Sequence, residues 1–310
     1  METIFISIAS YRDVLCSTTV RNIYENAKNP MNVFIGIVEQ NNSENKNELC
    51  LSENLDKKFL NNIRITKIPY QDAKGPTFAR YLCSQLYKNE DYFFQIDSHT
   101  LFVQDWDEKL LKMFKNIQNT LKTEKIILSH YPSSYETYSK TPDENIKNVP
   151  TICSSFFDSR GMISFLGAQV IDMNKRDFIE TPYIAAGMMF AKGSIVSNVP
   201  YDPYLDYLFV GEEILYSARC WTNGYRIITP TENIVYHLYT RKDSPKIWTD
   251  KKYTDKDAFE KVKALLKLSK QQSNLESYRF SFGNQKTLEE YYDFAGIDIE
   301  NKKSNKNFCK

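Results

Sequence analysis

The sequence has no surplus of charge of either sign and no long hydrophobic run. Its 40 Lys and Arg residues almost balance 39 Asp and Glu residues, which leaves a net charge of +1. Without a basic stripe, nucleic acid is a poor candidate for a partner. No apolar run approaches the roughly 20 residues of a membrane span. The segment Met1–Ile6 has no basic start and enters a predicted strand directly. We therefore expect neither a membrane span nor a signal peptide.

Cysteine also lacks a regular pattern. The chain has six cysteines and no Cys-x-x-Cys pair. Such scattered cysteines fit reduced thiols in a cytoplasmic protein better than a disulfide framework or a zinc site. They are Cys16, Cys50, Cys83, Cys153, Cys220 and Cys309.

The chain does contain apolar strands that alternate with amphipathic helices. With 310 residues, 42% of them hydrophobic, it can form one large α/β domain or two small ones. We predict strands at 4–9, 33–38, 63–68, 92–96, 126–129, 165–170, 184–191, 225–229 and 233–237. We predict helices at 17–27, 77–87, 108–117, 214–221, 255–269 and 287–295. Gln40–Asn62 is predicted to be a solvated excursion with a short helix, and Ser133–Ser159 a long loop or flap.

One predicted strand ends in a polar triplet. Tyr92–Ile96 is apolar and aromatic, and Asp97-Ser98-His99 follows directly. A carboxylate and an imidazole two residues apart can grip one cation, and ligands of open α/β sheets bind at the carboxyl ends of strands. Only three histidines occur in the chain, and His237 ends another predicted strand. Asp97, His99 and His237 would suit Mn²⁺ or Mg²⁺ better than a closed zinc site. The alternative is an ordinary turn or helix cap at Asp-Ser.

Two further segments could bind an anion or a base. Ser10-Tyr11-Arg12-Asp13 follows the first strand, where an aromatic ring and a guanidinium could stack on a base and reach a phosphate. The alternative is a plain strand-to-helix turn with Asp13 near the helix start. Arg80 falls in the first turns of a predicted helix, where the helix dipole disfavours a cation. It therefore suggests a nearby anion such as a diphosphate, and the alternative is a surface arginine.

Small and acidic residues mark the second half of the chain. Ala185–Gly187 clears space beside a backbone, as expected where a ligand or another strand comes close. Glu212 and Glu213 stand at a helix start, where they could simply match the helix dipole or could bind an acceptor. His130 could line the same cleft as the triplet or could be a hydrogen-bonded structural histidine.

A series of short motifs, read in order, resembles a known family. The motifs are Ser7–Asp13, Gly75-Pro76, Ala79-Arg80, Gln95–His99, Trp106-Asp107, Tyr131-Pro132, Pro200–Pro203, Phe209–Glu213, His237–Arg241, Phe282-Gly283, Lys286–Glu289 and Phe294–Asp298. They resemble the cytoplasmic polypeptide N-acetylglucosaminyltransferases, the family containing the enzyme that modifies hydroxyproline on the ubiquitin-ligase subunit Skp1. A more distant likeness is to mucin-type GalNAc transferases, which also use Asp-Ser-His with a late histidine. The resemblance implies a GT-A fold, with a mixed, mostly parallel central sheet flanked by helices.

The resemblance also implies a role for each matching position. Asp97, His99 and His237 would hold Mn²⁺ (or Mg²⁺) between the two phosphates of a UDP-sugar. The donor-binding residues would be Ala9, Ser10, Tyr11, Arg12, Arg80, Asp97, Ser98 and Gly187. The residues that orient the acceptor hydroxyl would be drawn from Asp206, Glu212 and Glu213. The family transfers with retention of anomeric configuration. No residue matches a catalytic nucleophile, and a front-face route would not need one.

The resulting prediction is a retaining, metal-dependent transferase that moves GlcNAc from UDP-GlcNAc to a hydroxyl of a protein, hydroxyproline-like, or of a glycan. The alternatives are a GT-A enzyme that uses another UDP-sugar for glycan assembly and a non-catalytic sugar-nucleotide or glycan-binding module. We expect a catalytic domain at 1–250, a helical extension at 251–298 packed on it, and a disordered tail at 299–310. The expected location is the cytoplasm, and homodimer formation is left open.

Overall fold

Secondary structure follows the apolar runs of the sequence. The computed structural model describes residues 2–51, 53–138, 144–242, 244–269 and 278–310. The strands are β1 (Ile4–Tyr11), β2 (Val33–Asn41), β3 (Ile63–Pro69), β4 (Tyr92–Asp97), β5 (Thr100–Phe102), β6 (Ile126–Ser129), β7 (Ser133–Ser134), β8 (Asn148–Ile152), β9 (Ser155–Phe157), β10 (Ile163–Phe165), β11 (Ala168–Asp172), β12 (Ile179–Glu180), β13 (Met188–Lys192), β14 (Arg226–Thr229), β15 (Val235–His237), β16 (Ile297–Asp298) and β17 (Lys303–Ser304). The helices are α1 (Cys16–Asn26), α2 (Pro76–Ser84), α3 (Trp106–Leu121), α4 (Ile195–Asn198), α5 (Glu212–Thr222), α6 (Ile247–Asp250), α7 (Lys256–Leu265) and α8 (Leu288–Ala295).

The central sheet is mixed and mostly parallel. Its strand order is β12-β14-β6-β13-β4-β1-β2-β3. The β1–β2, β1–β4, β2–β3 and β6–β14 pairs are parallel, while β13 runs antiparallel to both of its neighbours. The predicted α/β sheet of the GT-A fold is therefore confirmed, and the carboxyl ends of β1, β2 and β4 lie along one edge.

Both faces of the sheet are buried at its centre, which explains why β1, β4 and β6 are mostly apolar runs. Alternate residues of β1 enter different hydrophobic clusters. Ile4, Ile6 and Ile8 pack with α1 and α3, whereas Phe5 packs on the opposite face in a cluster that includes residues of α2, α4 and α5. Asp97, the last residue of β4, is a carboxylate at the point where that strand leaves the core.

Helices α5, α7 and α8 share one further hydrophobic cluster. Helix α8 begins with a capping box, in which the Thr287 hydroxyl accepts from the Glu290 N–H and the Glu290 carboxylate accepts from the Thr287 N–H. The prediction of a disordered tail is wrong. Lys303–Ser304 pairs with Ile297–Asp298, and the Phe308 N–H donates to the carbonyl of Cys153. The side chain of Phe308 also packs against the rings of Tyr183 and Phe294, and the polar composition of the tail gives no sign of these contacts with distant segments.

Disulfides replace the expected reduced thiols. Cys16 is bonded to Cys50 and Cys153 to Cys309, while Cys83 and Cys220 are free and buried. The bonded cysteines lie 34 and 156 residues apart in sequence, so that no local spacing predicts these pairs. No described helix is long and apolar enough to cross a membrane, as expected.

Several predicted boundaries need correction. The segment Ser133–Ser159 is not one long loop, because it contains β7, β8 and β9, although its residues 139–143 lie outside the described residues. The single strand predicted at 165–170 is two strands, β10 and β11, that belong to different sheets. They are separated at Gly167, whose φ of +70° breaks an extended run. The strand predicted from Ile184 begins only at Met188.

Candidate active site

A cleft of about 640 Å³ opens at the carboxyl ends of β1 and β4. Ala9 of β1 and Asp97 of β4 are register partners and both line it. A separate three-stranded sheet, β5-β15-β7, pairs His237 with Thr100. The Leu238 N–H donates to the carbonyl of His99 at 3.2 Å. This second sheet carries the late histidine to the end of β4.

Asp97, His99 and His237 are brought together, as the sequence predicts. One possible donor atom from each residue lies within 4.8 Å of the others. The Asp97 Oδ2 to His237 Nε2 distance is 3.0 Å, and the two imidazole rings are 4.5 Å apart between centroids. His237 Nδ1 is buried and has no hydrogen-bond partner among the described residues. One carboxylate and two imidazoles at an open cleft leave positions for water or phosphate oxygens, and this set fits Mn²⁺ or Mg²⁺.

The charge states of these groups suit a cation. Burial alone raises the pKa of Asp97, but the hydrogen bond with His237 and the charge of Arg80 outweigh it and hold that pKa well below its usual range. Burial lowers the pKa of His99 despite its hydrogen bond with Asp13. Asp97 is therefore ionised and His99 is neutral at physiological pH. These are the forms that bind metals.

The backbone around the triplet is fixed by helix α1. The Thr19 hydroxyl donates to the carbonyl of Ser98 at 2.9 Å and accepts from the Thr100 N–H at 3.0 Å. The Thr100 hydroxyl donates to the carbonyl of Asp97 at 2.8 Å. The turn that the sequence offers as an alternative is thus present, and it holds the candidate metal ligands in place.

Gly187 faces Asp97 across the cleft. A Cβ atom at Gly187 would lie 3.0 Å from Asp97 Oδ2, closer than most side-chain contacts. Gly187 immediately precedes β13, whose first residue is the register partner of Ile96. The predicted close approach at Ala185–Gly187 is therefore an approach to the carboxylate of Asp97.

Arg80 lies inside the site. Its guanidinium forms an ion pair with Glu212 and lies 3.5 Å from Asp97 Oδ1. Gly75 permits this helix start, because its φ is +95° and a Cβ atom added there would lie only 3.0 Å from Tyr207 Cα, so that a side chain has no room. Arg80 is therefore not a surface arginine, and its anionic neighbours are the carboxylates of Asp97 and Glu212.

Glu213 is a half-buried residue whose carboxyl has two protein partners. Its Oε1 accepts from the Ala186 N–H at 2.8 Å, and its Oε2 accepts from the Tyr131 hydroxyl at 2.9 Å. Burial raises the pKa of Glu213, and it raises the pKa of Tyr131 as well. Glu213 joins the start of α5 to the loop that carries Gly187, so that it supports one wall of the cleft.

The four donor-binding residues predicted at positions 9–12 are only partly at the cleft. Ala9 and Tyr11 line it, whereas Ser10 is fully buried. Arg12 pairs with Glu48 at 3.1 Å and with Asp250 at 2.8 Å, outside the cleft lining. Tyr11 also donates to Asp250, at 3.0 Å. The β1 loop is therefore tied to α6, and Arg12 holds this contact.

The remaining predicted residues fall into three groups. Ser98 is buried at the lining of the cleft, and its hydroxyl donates to Asp13 at 2.6 Å. Asp206 does not line the cleft, and its carboxylate lies 3.3 Å from the Lys74 amine. His130 is also absent from the lining, and burial lowers its pKa to about 4, so it is a neutral buried histidine.

Sequence reasoning missed several cleft residues. Arg241 lines the cleft, and its Nε and Nη2 atoms are buried without a hydrogen-bond partner among the described residues. Phe209 and Trp248 are exposed at the rim, with ring centroids 5.5 Å apart. The sequence signal for Arg241 and Phe209 was their place in motifs of the family resemblance, which assigned them no role. Trp248 had none.

The mixed sheet, the flanking helices and the cleft at the carboxyl ends of the strands have the arrangement of a GT-A fold. The chain belongs to the family Glycosyltransferase (GlcNAc), because the sequence model of that family matches residues 3–60 and 50–301. The further assignment to the hydroxyproline-modifying group stays a prediction. A search of curated proteins found no match.

Two solved structures show the same fold. The first is GalNAc-T7 crystallised with UDP, GalNAc and Mn²⁺, with a TM-score of 0.56, 14% identity, and coverage of 94% of this chain and 54% of that one. The second is S. aureus TarS 1-349 in complex with UDP-GlcNAc, with a TM-score of 0.53, 12% identity, and coverage of 88% and 68%. This chain thus spans about half the length of the GalNAc-T7 chain.

Proposed function

We propose that this glycosyltransferase is metal-dependent and moves N-acetylglucosamine from UDP-GlcNAc to a hydroxyl of a protein or glycan, with hydroxyproline-like acceptors first among them. The observation that carries the proposal is the convergence of Asp97, His99 and His237 at one end of an open cleft. The name of the family and the UDP-GlcNAc bound to TarS support the choice of donor. The Mn²⁺ in the GalNAc-T7 structure supports the choice of metal.

The donor would bind with its diphosphate at the three candidate metal ligands. Departure of UDP leaves negative charge on a phosphate oxygen. A divalent ion bound there would act as a Lewis acid toward that charge. Arg80 and Arg241 line the same cleft and add fixed positive charge in a partly desolvated place, where such charge stabilises a leaving anion more than it does in water. Tyr11 and Ala9 would border the uridine.

The acceptor would enter from the side of α5. Glu212 lines the cleft and is paired with Arg80, so its carboxylate is oriented in a position to accept a hydrogen bond from an acceptor hydroxyl. Glu213 would fix the position of the cleft wall through its hydrogen bonds with Tyr131 and Ala186. Orientation of this kind can supply several kcal/mol of rate enhancement. The proposed transfer retains the anomeric configuration by a front-face route.

The test is UDP release from a panel of UDP-sugars without acceptor, with Mn²⁺ and with EDTA. Slow Mn²⁺-dependent hydrolysis of UDP-GlcNAc above that of other sugars is the expected result. Preferential hydrolysis of UDP-GalNAc, the alternative suggested by the GalNAc in the GalNAc-T7 structure, would overturn the donor. If no UDP-sugar is hydrolysed and UDP with Mn²⁺ gives no thermal stabilisation, the result would contradict the proposed function and favour the alternative of a non-catalytic binding module.

Three further expectations remain predictions. Homodimer formation and Asp206 as an acceptor-orienting residue are untested. Cytoplasmic location is also untested, and the two disulfides weigh against it, since such bonds persist mainly in oxidising compartments.

A further inference from the structure

Asp13 is a buried carboxylate directly behind the candidate metal site. It is 2% exposed and lies between β1 and α1. Its Oδ2 is 2.7 Å from His99 Nδ1 and accepts from the Ser98 hydroxyl at 2.6 Å. Its Oδ1 accepts from the Leu15 N–H at 3.0 Å. The sequence alone marks Asp13 only as a residue near a helix start, yet two of its three hydrogen bonds go to the end of β4.

The contact decides which nitrogen of His99 carries the proton. An ionised carboxylate can only accept, so Nδ1 must donate, and in the neutral ring the proton sits on Nδ1. Nε2 then keeps its lone pair and is the nitrogen available as a ligand. A histidine without such a partner prefers the opposite tautomer in water. A carboxylate on the far nitrogen also fixes the ring and raises its basicity as a ligand.

Arg241 shows that this carboxylate is also tied to the loop after β15. Its Nη2 lies 3.4 Å from Asp13 Oδ2, on the side that faces the cleft. The Asp13 carboxylate therefore has neighbours on three segments: its own loop, the end of β4 and the loop after His237. Asp13 is thus a buried negative charge held by three hydrogen-bond donors and one nearby guanidinium, and most of these neighbours lie outside the start of α1.

We propose that Asp13 is a positioning residue that holds His99 as its Nδ1–H tautomer and thereby presents Nε2 to a divalent cation. The metal half of this inference rests on the proposed function. The tautomer half does not, because it concerns a contact within the protein alone.

The test is nitrogen NMR of full-length protein labelled with ¹⁵N-histidine, in EDTA at pH 8. The chain has three histidines, so His130→Gln and His237→Gln assign all signals by elimination. We expect His99 as the Nδ1–H tautomer in the wild type and a shift toward Nε2–H in Asp13→Ala. Mn²⁺ affinity, measured by electron paramagnetic resonance, should fall about 10- to 100-fold in Asp13→Ala. The Mn²⁺ affinity of Asp13→Asn, which keeps an acceptor oxygen, should fall less.

Asp107→Asn is the matched control. Asp107 is also a buried carboxylate, but it accepts from the Lys28 and Asn29 N–H groups and lies outside the cleft lining. It should change neither the tautomer nor Mn²⁺ affinity, even if it lowers the melting temperature.

The results separate the two proposals. A wild-type His99 with its proton on Nε2 would overturn the role of Asp13, and so would unchanged Mn²⁺ affinity in a folded Asp13→Ala protein. If Asp13→Ala does not fold, the wild-type tautomer and the affinity of Asp13→Asn decide in its place. A wild type that binds no Mn²⁺ would overturn the proposed metal dependence and the effect of Asp13 on it, while the NMR spectrum would still decide the contact with His99.

Discussion

The two sides of the cleft treat their charged groups differently. On the metal side, Asp97, His99 and His237 keep donor atoms facing each other within 4.8 Å. On the carboxylate side, Glu212 is paired with Arg80 and both oxygens of Glu213 accept from the protein. The polar atoms of the first side converge on one place that a cation can occupy, whereas the two oxygens of Glu213 on the second side are both directed to donors of the protein. The comparison assigns ligand binding to the first side and orientation to the second.

The largest expected effect comes from removing a ligand on the metal side. His237→Ala should lower Mn²⁺-dependent UDP release by roughly a thousandfold, because a bound metal supplies several kcal/mol of transition-state stabilisation. The fold should remain largely intact, since His237 ends a short strand at the cleft. Turnover at saturating and limiting Mn²⁺, with circular dichroism, measures both effects.

A second histidine provides the control for this variant. His130→Gln removes a fully buried imidazole outside the cleft lining, so it should cost stability without changing the Mn²⁺ dependence. Wild-type activity of His237→Ala at the same Mn²⁺ concentration would show that His237 is not part of the site. It would also contradict the proposed difference between the two sides of the cleft.

Glu213→Gln tests the carboxylate side. Loss of a charged hydrogen-bond acceptor is worth about 1.5–3 kcal/mol, so transfer to an acceptor should fall about ten- to a hundredfold. UDP binding, measured by calorimetry, should fall much less, because Glu213 contacts Tyr131 and Ala186 and not the metal ligands. An equal loss of transfer and UDP binding would show that Glu213 supports the whole site.

The same variant should change the pH dependence of stability. Burial raises the pKa of Glu213 above its ordinary value of 4.5. A raised folded-state pKa contributes stability that is present below the unfolded pKa and is lost as pH rises through the folded one. Gln cannot ionise. The melting temperature of Glu213→Gln relative to the wild type should therefore be higher at pH 8 than at pH 4, and a difference that does not vary with pH would contradict the raised pKa.

Gly187→Ala should have a smaller effect because it moves a ligand without removing it. The added Cβ would lie 3.0 Å from Asp97 Oδ2, so the carboxylate must shift by a few tenths of an ångström. Overpacking of this kind costs roughly 1–2 kcal/mol, and we expect a moderate loss of Mn²⁺ affinity. Ala168→Gly, a change of one methyl group on exposed strand β11, is the control. Unchanged Mn²⁺ affinity in Gly187→Ala would show that the Asp97 carboxylate can shift without weakening Mn²⁺ binding.

The sequence was informative where one physical signal dominates. The strand Ile126–Ser129 has the bounds predicted from its apolar run, and the triplet after Tyr92–Ile96 marks the candidate metal site because polar residues end a buried strand. It failed where contacts join distant segments. The Cys153–Cys309 bond and strand β8, which contains Pro150 in a polar stretch, have no local pattern.

Asp13 shows the same limit inside the site. Near a helix start, an aspartate already has a sufficient local explanation, so nothing in the sequence indicates its contact with His99, 86 residues away. Arg12 shows the reverse error: a guanidinium in a ligand-binding loop suggested a phosphate contact, but its partners are Glu48 and Asp250. A motif indicates which loop matters, and the tertiary partners decide which of its side chains are free.

The smallest expected effect concerns the rim of the cleft. Trp248 is exposed beside Phe209 near the carboxylate side, where an acceptor would enter. Trp248→Ala should raise the KM for a hydroxyproline peptide or saccharide acceptor about two- to tenfold, as expected for the loss of about 0.5–1.5 kcal/mol of aromatic contact. Acceptor-free UDP release should stay unchanged. Phe156→Ala, an exposed aromatic residue on β9 outside the cleft, is the matched control. Equal loss of acceptor-free release in Trp248→Ala would place this ring over the donor. Helix α6 would then belong to the metal side of the cleft and not to the carboxylate side.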